Sequence, residues 1–251
     1  MANDYFAGIV AKTYDSDLEG WFDSAVVDPA VGFLWSLANG GPALELGIGT
    51  GRIALPLSAR GLHVHGIELS PDMVAQLRTK RGSEDIAVTI GDFSTTRVGS
   101  QFKLAYLVFN TIMNLTTQAE QVQCFSNVAH HLERDGLFVV EVLVPLLQQL
   151  PFGQTLMACN VSASELDFDE YDVANQGLVS HHFRTHDGTL ADYPLPFRYV
   201  WPSELDLMAQ LAGMTLVERW GGWDRQPFTS RSFMHVSVWN KVGPSLIAGD
   251  L

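Results

Sequence analysis

Three glycines at alternate positions, Gly47, Gly49 and Gly51, follow the short apolar segment Ala43 to Leu46. Glycine has no Cβ, so such a segment can turn sharply and bring its backbone close to a ligand. The spacing G-x-G-x-G is one residue shorter than the dinucleotide fingerprint G-x-G-x-x-G, which disfavours nicotinamide chemistry. Glu45 precedes the first glycine, where a carboxylate repels a pyrophosphate and attracts an ammonium or sulfonium group. The pattern predicts a strand, a turn and a helix that approach a cationic ligand.

Two further segments of this kind follow along the chain. Glu68 lies near the end of a second predicted apolar strand, Leu62 to Leu69, where nucleotide-binding α/β folds hold ribose hydroxyls. Asp92 and Phe93 follow a third predicted strand, Ile86 to Ile90. A polar and an aromatic side chain at that position can hold the edge and the face of an adenine.

Together these segments resemble the motifs of the class I S-adenosylmethionine-dependent methyltransferases. The resemblance implies that the glycine segment is their first motif, that Glu68 is their ribose acid and that Asp92 with Phe93 forms their adenine site. The implied cofactor is S-adenosyl-L-methionine, the implied product is S-adenosyl-L-homocysteine, and no metal is expected. The residues predicted to bind the cofactor are Tyr14, Glu45, Gly47, Gly49, Gly51, Arg52, Glu68, Leu69, Met73, Asp92, Phe93 and Asn110.

The elements that must position these residues alternate between strand and helix. Ser70 and Pro71 provide an N-cap and a first helical residue, and Leu137 to Val144 is an apolar run suited to a strand buried on both faces. Such alternation predicts a doubly wound parallel sheet with its ligand at the carboxyl ends of the strands. The resemblance adds a seven-stranded Rossmann-like sheet that ends in an antiparallel hairpin.

The chain is predicted to form a single methyltransferase domain over residues 1–251. Residues 1–40 form an N-terminal helical lid, and residues 41–145 form the cofactor-binding core. Residues 146–200 show short strand patterns, with a turn at Asp187-Gly188, and are interpreted as an inserted antiparallel β cap. Residues 201–241 return to the core.

Composition narrows the classes of partner. The net charge of −13 argues against nucleic acid, because phosphates would be repelled. The two cysteines, Cys124 and Cys159, have no C-x-x-C spacing, and the sequence shows neither a secretory signal nor an apolar run long enough to span a bilayer. We therefore expect a cytoplasmic protein, a monomer or homodimer, that acts on a small molecule or a short peptide without nucleic acid or membrane.

The predicted catalytic residues are His181, His182 and Tyr14. The two histidines are adjacent on a predicted cap strand, so their side chains point to opposite faces and one should face the cleft. The alternative is a surface or packing role for both. The Tyr14-Asp15 pair resembles one that places a tyrosine near the methionine end of the cofactor in related enzymes. The alternative is that Tyr14 only anchors its segment to the core.

The predicted substrate residues are Asn114, Arg198, Trp201 and Trp223. Asn114 follows the fourth predicted strand, where the resembled family places catalytic or substrate-contacting residues. For Arg198 and Trp201 the alternative is packing within the cap. The chain lacks the Asn/Asp-Pro-Pro-Tyr tetrad after this strand, which argues against DNA or protein-glutamine substrates.

The resemblance favours methyl transfer to an amine, such as an amino sugar, another natural-product amine or a peptide α-amine. Transfer to oxygen or carbon remains open. A protein on the same fold that binds the cofactor without methylating is a second hypothesis, and a nicotinamide oxidoreductase is a third.

Overall fold

The computed structural model describes residues 4–162, 165–186 and 189–243. Its strands are β1 (Ala43–Leu46), β2 (Val64–Glu68), β3 (Ala87–Ile90), β4 (Phe102–Leu107), β5 (Leu132–Leu143), β6 (Leu156–Val161), β7 (Glu165–Asp172), β8 (Gly177–His186), β9 (Thr189–Arg198), β10 (Met214–Trp220) and β11 (Met234–Lys241). Its α-helices are α1 (Ile9–Asp17), α2 (Ser24–Ala38), α3 (Ala54–Ala59), α4 (Pro71–Arg78), α5 (Gln118–His131) and α6 (Pro202–Leu211). Short 3₁₀ turns occupy Glu19–Phe22, Ser83–Asp85, Thr111–Asn114 and Leu147–Gln149.

The larger sheet has the strand order β10-β11-β5-β4-β1-β2-β3. The strands from β5 to β3 run parallel, whereas β11 lies antiparallel to β5 and β10 lies antiparallel to β11. The predicted fold class, a doubly wound sheet that ends in an antiparallel hairpin, is confirmed. Because parallel strands share one direction, the carboxyl ends of β1 to β4 meet at one edge of the sheet.

Helix starts in the core follow from local capping. The Ser70 hydroxyl accepts a hydrogen bond from the Met73 backbone N–H at 3.4 Å, and Pro71 opens α4. Thr117 and Glu120 form a reciprocal capping box at the start of α5. These caps fix where α4 and α5 begin, directly after loops at the carboxyl edge of the sheet.

Apolar side chains cover both faces of the larger sheet. One cluster contains Phe125, Phe138 and Trp239 together with residues of α6, and the other contains residues of α2 and α3 with the buried Tyr106. A parallel sheet is stable only when both faces are covered in this way. No helix of the described part of the chain is long and apolar enough to cross a membrane.

The smaller sheet, β6-β7-β8-β9, is antiparallel and is inserted between β5 and α6. Tyr171 and Leu178 from one face of this sheet, and Tyr199 after β9, join the core cluster beside α5 and α6. Val144, just after β5, and Trp201, just before α6, line one groove, so the two ends of the insertion are neighbours. The turn expected at 187–188 lies outside the described residues, and the division of the chain into lid, core, cap and return stays a prediction.

Candidate active site

A cavity of about 400 Å³ opens at the carboxyl ends of β1 to β4, between the N-terminal segment and strand β9. The loops after the first three strands contribute Gly47, Gly49, Glu68, Leu69, Asp92 and Phe93 to its lining. Met73 of α4 adds a thioether beside them. The sequence-predicted ribose and adenine residues therefore line the same cavity as two of the three glycines.

The glycine segment forms a tight turn beside this cavity. Gly47, Gly49 and Gly51 have φ values of 70°, 54° and 84°, a region that side chains disfavour. A Cβ at Gly47 would lie 2.6 Å from the Thr111 Cγ2 atom, so the backbone approaches the next loop as closely as it can. A Cβ at Gly51 would lie 2.5 Å from Leu77 Cδ1, which gives Gly51 a packing role against α4 instead of a place in the lining.

Glu68 connects the glycine turn to the loop after β2. Its two carboxylate oxygens accept hydrogen bonds from the Gly49 N–H at 2.7 Å and the Ser70 N–H at 3.0 Å. The residue is 7% exposed, and burial raises the pKa of its carboxyl, while the two backbone donors act in the opposite direction. A buried carboxylate held at the end of β2 in a cavity is suited to accept hydrogen bonds from a diol.

Asp92 and Phe93 form the third wall of the same end of the cavity. The Asp92 carboxylate accepts hydrogen bonds from the Ser94 N–H at 2.8 Å and the Ser94 hydroxyl at 2.7 Å. Phe93 is 8% exposed and belongs to the core cluster. The carboxylate is oriented locally and the ring is fixed by packing, so both are prepared for a planar ligand.

Glu45 and Arg52 lie outside the cavity lining. Glu45 is 2% exposed, accepts a hydrogen bond from the Tyr106 hydroxyl at 3.0 Å, and burial raises its pKa to about 8. The Arg52 guanidinium lies 4.7 Å from the centre of the Phe109 ring and donates to the Trp21 carbonyl at 3.3 Å. Their predicted role in cofactor binding stays a prediction, and at neutral pH Glu45 holds its proton instead of offering a negative charge.

The raised pKa of Glu45 gives a sign to the dependence of stability on pH. Between the ordinary pKa of 4.5 and the folded pKa of about 8, the folded chain keeps a proton that the unfolded chain releases. The free energy of unfolding therefore falls as pH rises through this window. Glu45→Gln keeps an acceptor for Tyr106 but has no proton to release. We expect its free energy of unfolding, measured in urea, to fall between pH 5 and pH 8 by roughly 1–3 kcal/mol less than that of the wild type. Equal losses in both proteins would contradict this, and Glu84→Gln at an exposed position is the control.

The N-terminal segment covers the cavity with Tyr5, Phe6 and Tyr14. The Phe6 and Tyr14 rings meet edge to face with centres 6.2 Å apart. Burial raises the pKa of the Tyr14 phenol to about 12, so the hydroxyl stays protonated at neutral pH. Tyr14 therefore lines the cavity with a protonated hydroxyl, and its predicted place near the methionine end of the cofactor and its predicted catalytic role stay predictions.

The turn after β4 divides the two predicted asparagines. Asn110 has a left-handed backbone with φ of 61°, and its side-chain oxygen accepts from the Leu143 N–H at 2.8 Å, which joins the end of β4 to β5. Asn110 is not in the cavity lining, whereas Thr111 and Asn114 of the same turn are. The sequence analysis missed Thr111, although its place directly after a predicted parallel strand was a usable indication.

The smaller sheet, called the cap from here on, lines the other end of the cavity with residues of β9. The lining residues at this end are Leu195, Pro196 and Phe197 of β9 and Leu115, Thr116 and Glu120, which follow β4. The sequence analysis named none of these six. Because the cap is distant in sequence from the core, only the folded chain shows which of its strands reaches the cavity.

The two histidines lie on opposite faces of the cap sheet, as predicted. His182 pairs with Asp167 on the face that carries Tyr171 and Leu178 into the core, and its Nδ1 atom lies 3.3 Å from an Asp167 carboxylate oxygen. His181, on the other face, stacks on Phe168 with ring centres 4.7 Å apart. Neither histidine is among the described residues that line the cavity.

The remaining three predicted substrate residues lie outside the cavity lining. Arg198 is 5% exposed and donates to Gln121, to Gln176 at 3.1 Å and to Glu204 at 2.7 Å. Trp201 lines the groove between the ends of the insertion. These contacts match the packing alternative, and a substrate role for them stays a prediction.

Trp223 is also engaged in packing. Its indole N–H donates to the Glu141 carboxylate at 3.0 Å, and its ring meets Phe33 with centres 5.4 Å apart.

Among the residues that the structure describes, no group of three or more His, Cys, Asp or Glu side chains could hold a metal ion.

Comparison with known proteins decides the family. A family model described as a methyltransferase domain matches residues 43–136. The solved structure of the CcbJ methyltransferase from Streptomyces caelestis is 33% identical, has a TM-score of 0.85, and is matched over 97% of this chain and 100% of its own. The chain belongs to the S-adenosylmethionine-dependent methyltransferases. The predicted enzyme class and cofactor are confirmed.

Two curated relatives of this methyltransferase carry names that include an acceptor. The cypemycin N-terminal methyltransferase of a Streptomyces species is 24% identical over 83% of this chain and 89% of its own. The dTDP-3-amino-3,6-dideoxy-alpha-D-glucopyranose N,N-dimethyltransferase of Streptomyces fradiae is 34% identical over 39% of this chain and 38% of its own. The methyltransferase is thus similar to one enzyme whose name places methylation at an N-terminus and to another whose name specifies dimethylation of nitrogen.

Proposed function

We propose that the methyltransferase transfers a methyl group from S-adenosylmethionine to an amine nitrogen of a small molecule or a short peptide. The observation that carries the proposal is the cavity itself, in which a glycine turn and the buried Glu68 carboxylate lie at one end and cap strand β9 lies at the other. The two relatives whose names specify nitrogen support an amine acceptor.

The residues at the first end fit the cofactor. Glu68 offers acceptor oxygens for ribose hydroxyls, and Asp92 and Phe93 offer an acceptor and an apolar face for adenine. Gly47 and Gly49 contribute backbone without side chains to the same lining. When bound, S-adenosylmethionine supplies a methyl group on a sulfonium centre, which makes that carbon electrophilic. The predicted contacts of Leu69 and Met73 belong to the same end.

The second end is suited to hold and orient the acceptor. Asn114, Thr116 and Glu120 provide polar groups, and residues Leu195 to Phe197 provide an apolar wall. Holding the nitrogen in line with the methyl carbon and excluding water is the main task of this end. Such positioning is worth about 7–11 kcal/mol of the barrier in favourable cases.

His182 is the residue we propose to accept the proton from an ammonium acceptor. It does not line the cavity itself, but it shares one face of the cap sheet with Leu195 and Phe197, which do, and Asp167 lies beside its Nδ1 atom. A carboxylate next to one ring nitrogen orients the imidazole and leaves the other nitrogen to take a proton. Tyr14 does not compete for this role because its pKa is about 12.

The experiment is a panel of acceptors matched in size, with an amine, an alcohol and a peptide with a free or acetylated N-terminus. We expect mass spectrometry to show the gain of a methyl group on the amine and on the free peptide, with equal release of S-adenosylhomocysteine. Methyl gain on oxygen or carbon alone would contradict the amine assignment. Cofactor binding without any S-adenosylhomocysteine would favour a non-methylating protein.

Variants of the cap histidines complete this experiment. We expect His182→Gln to lower kcat by about 10²-fold with a charged amine. The kcat of the variant should recover as pH rises, because the acceptor then loses its proton without help from the enzyme. His181→Gln, on the opposite face of the sheet, is the matched control and should keep kcat. Equal effects of both variants would contradict a specific role for His182.

A further inference from the structure

Helix α1 is tied directly to the glycine turn through Asp15. The Thr50 hydroxyl donates to one Asp15 carboxylate oxygen at 2.6 Å, and the Lys80 ammonium forms an ion pair with the other. The same ammonium donates to the Thr50 carbonyl at 2.8 Å. Thr50 is 2% exposed and lies between two glycines of the turn, so two of the three bonds end on the glycine turn and the third joins their partners, Asp15 and Lys80.

The beginning of α1 has a second attachment. The Gly8 N–H donates to the Asp72 carboxylate at 2.7 Å, in the first turn of α4. Lys80 follows the last turn of the same helix, so α1 is tied near both of its ends to α4 and the residues after it. Between these two attachments lies Tyr14, whose side chain lines the cavity.

We infer that Asp15 and Lys80 form a latch that holds α1 over the bound cofactor and sets the rate at which S-adenosylhomocysteine leaves. The inference rests on the proposed placement of the cofactor in this cavity. Asp15 is a positioning residue, because it acts through the neighbouring Tyr14 and through Thr50 and does not line the cavity itself. Lys80 completes the latch by joining the carboxylate to the backbone of the glycine turn.

The exposure of the pair suits a latch that must open in every cycle. The Asp15 and Lys80 side chains are 40% and 26% exposed, so water can replace each partner when the pair separates. Opening the latch leaves the seven-stranded sheet intact, because the two bonds of Asp15 join a surface helix to segments outside the strands. A product covered by α1 leaves only after these bonds break, whereas the unliganded protein loses little when they do.

The test measures S-adenosylhomocysteine dissociation by stopped-flow in Asp15→Asn and Lys80→Met. Asn keeps an oxygen for the Thr50 hydroxyl and removes only the charge. We expect the dissociation rate to rise about tenfold in each variant, equivalent to about 1.4 kcal/mol, with less effect on association. The unfolding of the unliganded protein should change little, and the wild-type affinity should fall with added NaCl more than that of the variants.

Controls separate the latch from a general effect on the helix. Asp17→Asn and Lys12→Met change the same charges at exposed positions of α1 and should leave the dissociation rate unchanged. The exchange Asp15→Lys with Lys80→Asp should recover part of the slow release. Unchanged S-adenosylhomocysteine release in the single variants would overturn the latch, and so would release from the exchanged double variant that is as fast as from either single variant. In both cases, turnover of an amine by the wild type would leave the proposed function intact. Failure of the wild type to bind S-adenosylhomocysteine would overturn both.

Discussion

Replacing Glu68 with alanine is expected to weaken S-adenosylhomocysteine binding by about 100-fold or more. Hydrogen bonds to a charged acceptor contribute about 1.5–3 kcal/mol each, and about 2.7 kcal/mol corresponds to 100-fold. The change also removes the acceptor of the Gly49 and Ser70 N–H groups, so the glycine turn loses its link to the loop after β2. Titration calorimetry with the wild type and the variant measures the difference directly.

Two further variants sharpen this result. Glu68→Gln keeps one acceptor oxygen and should fall between the wild type and Glu68→Ala. Glu84→Ala removes a carboxylate at an exposed site before β3 and should leave the affinity unchanged. An affinity of Glu68→Ala close to that of the wild type would remove Glu68 from the cofactor site.

Gly47→Ala is expected to lower the free energy of unfolding by about 2–4 kcal/mol and to reduce cofactor affinity with it. The added Cβ would lie 2.6 Å from the Thr111 Cγ2 atom, and the backbone at Gly47 has φ of 70°. Both effects act at the wall of the cavity, where the turn and the segment after β4 meet. Urea unfolding and calorimetry with S-adenosylhomocysteine measure the two losses.

The steric and backbone parts of this loss can be separated. Thr111→Ser removes the clashing methyl and keeps the hydroxyl that donates to the Val108 carbonyl at 2.7 Å, so the double variant should recover the steric part. Gly61→Ala has φ of 85° and no atom within 4 Å of its added Cβ, so it should cost only the backbone strain and keep the affinity. A double variant no better than Gly47→Ala would contradict the steric argument.

Most of the predicted residues that line the cavity share one property, and Tyr14 of α1 and Met73 of α4 are the exceptions. Gly47, Glu68, Asp92 and Phe93 lie at or beside the ends of predicted parallel strands, and the direction of a parallel sheet brings those ends together. Local motif and sheet topology therefore determine their position jointly. The same reasoning identified Asn114, which follows β4.

The residues that sequence analysis could not place depend on contacts between distant segments. Trp223 donates to Glu141, which is 82 residues away, and Arg198 is paired with Gln121, which is 77 residues away. The residue type alone does not show whether an arginine or tryptophan near an expected cap is buried in such a pair or faces a ligand. Glu45 shows the same limit. The folded core buries its carboxyl and raises the pKa, while the hydrogen bond from Tyr106 on the neighbouring strand β4 acts in the opposite direction.

The two ends of the cap insertion are neighbours, so the insertion can change independently of the larger sheet. The segment from Val144 to Trp201 begins and ends beside one groove, so it can be lengthened, shortened or exchanged as a cassette without cutting any strand of the larger sheet. An exchanged cassette needs to supply equivalents of Tyr171, Leu178 and Tyr199, because these side chains fill the core beside α5 and α6. Under that one condition, and with the acceptor held by the cap as proposed, we expect an exchanged cap to change acceptor preference and to leave cofactor binding at the glycine turn unchanged.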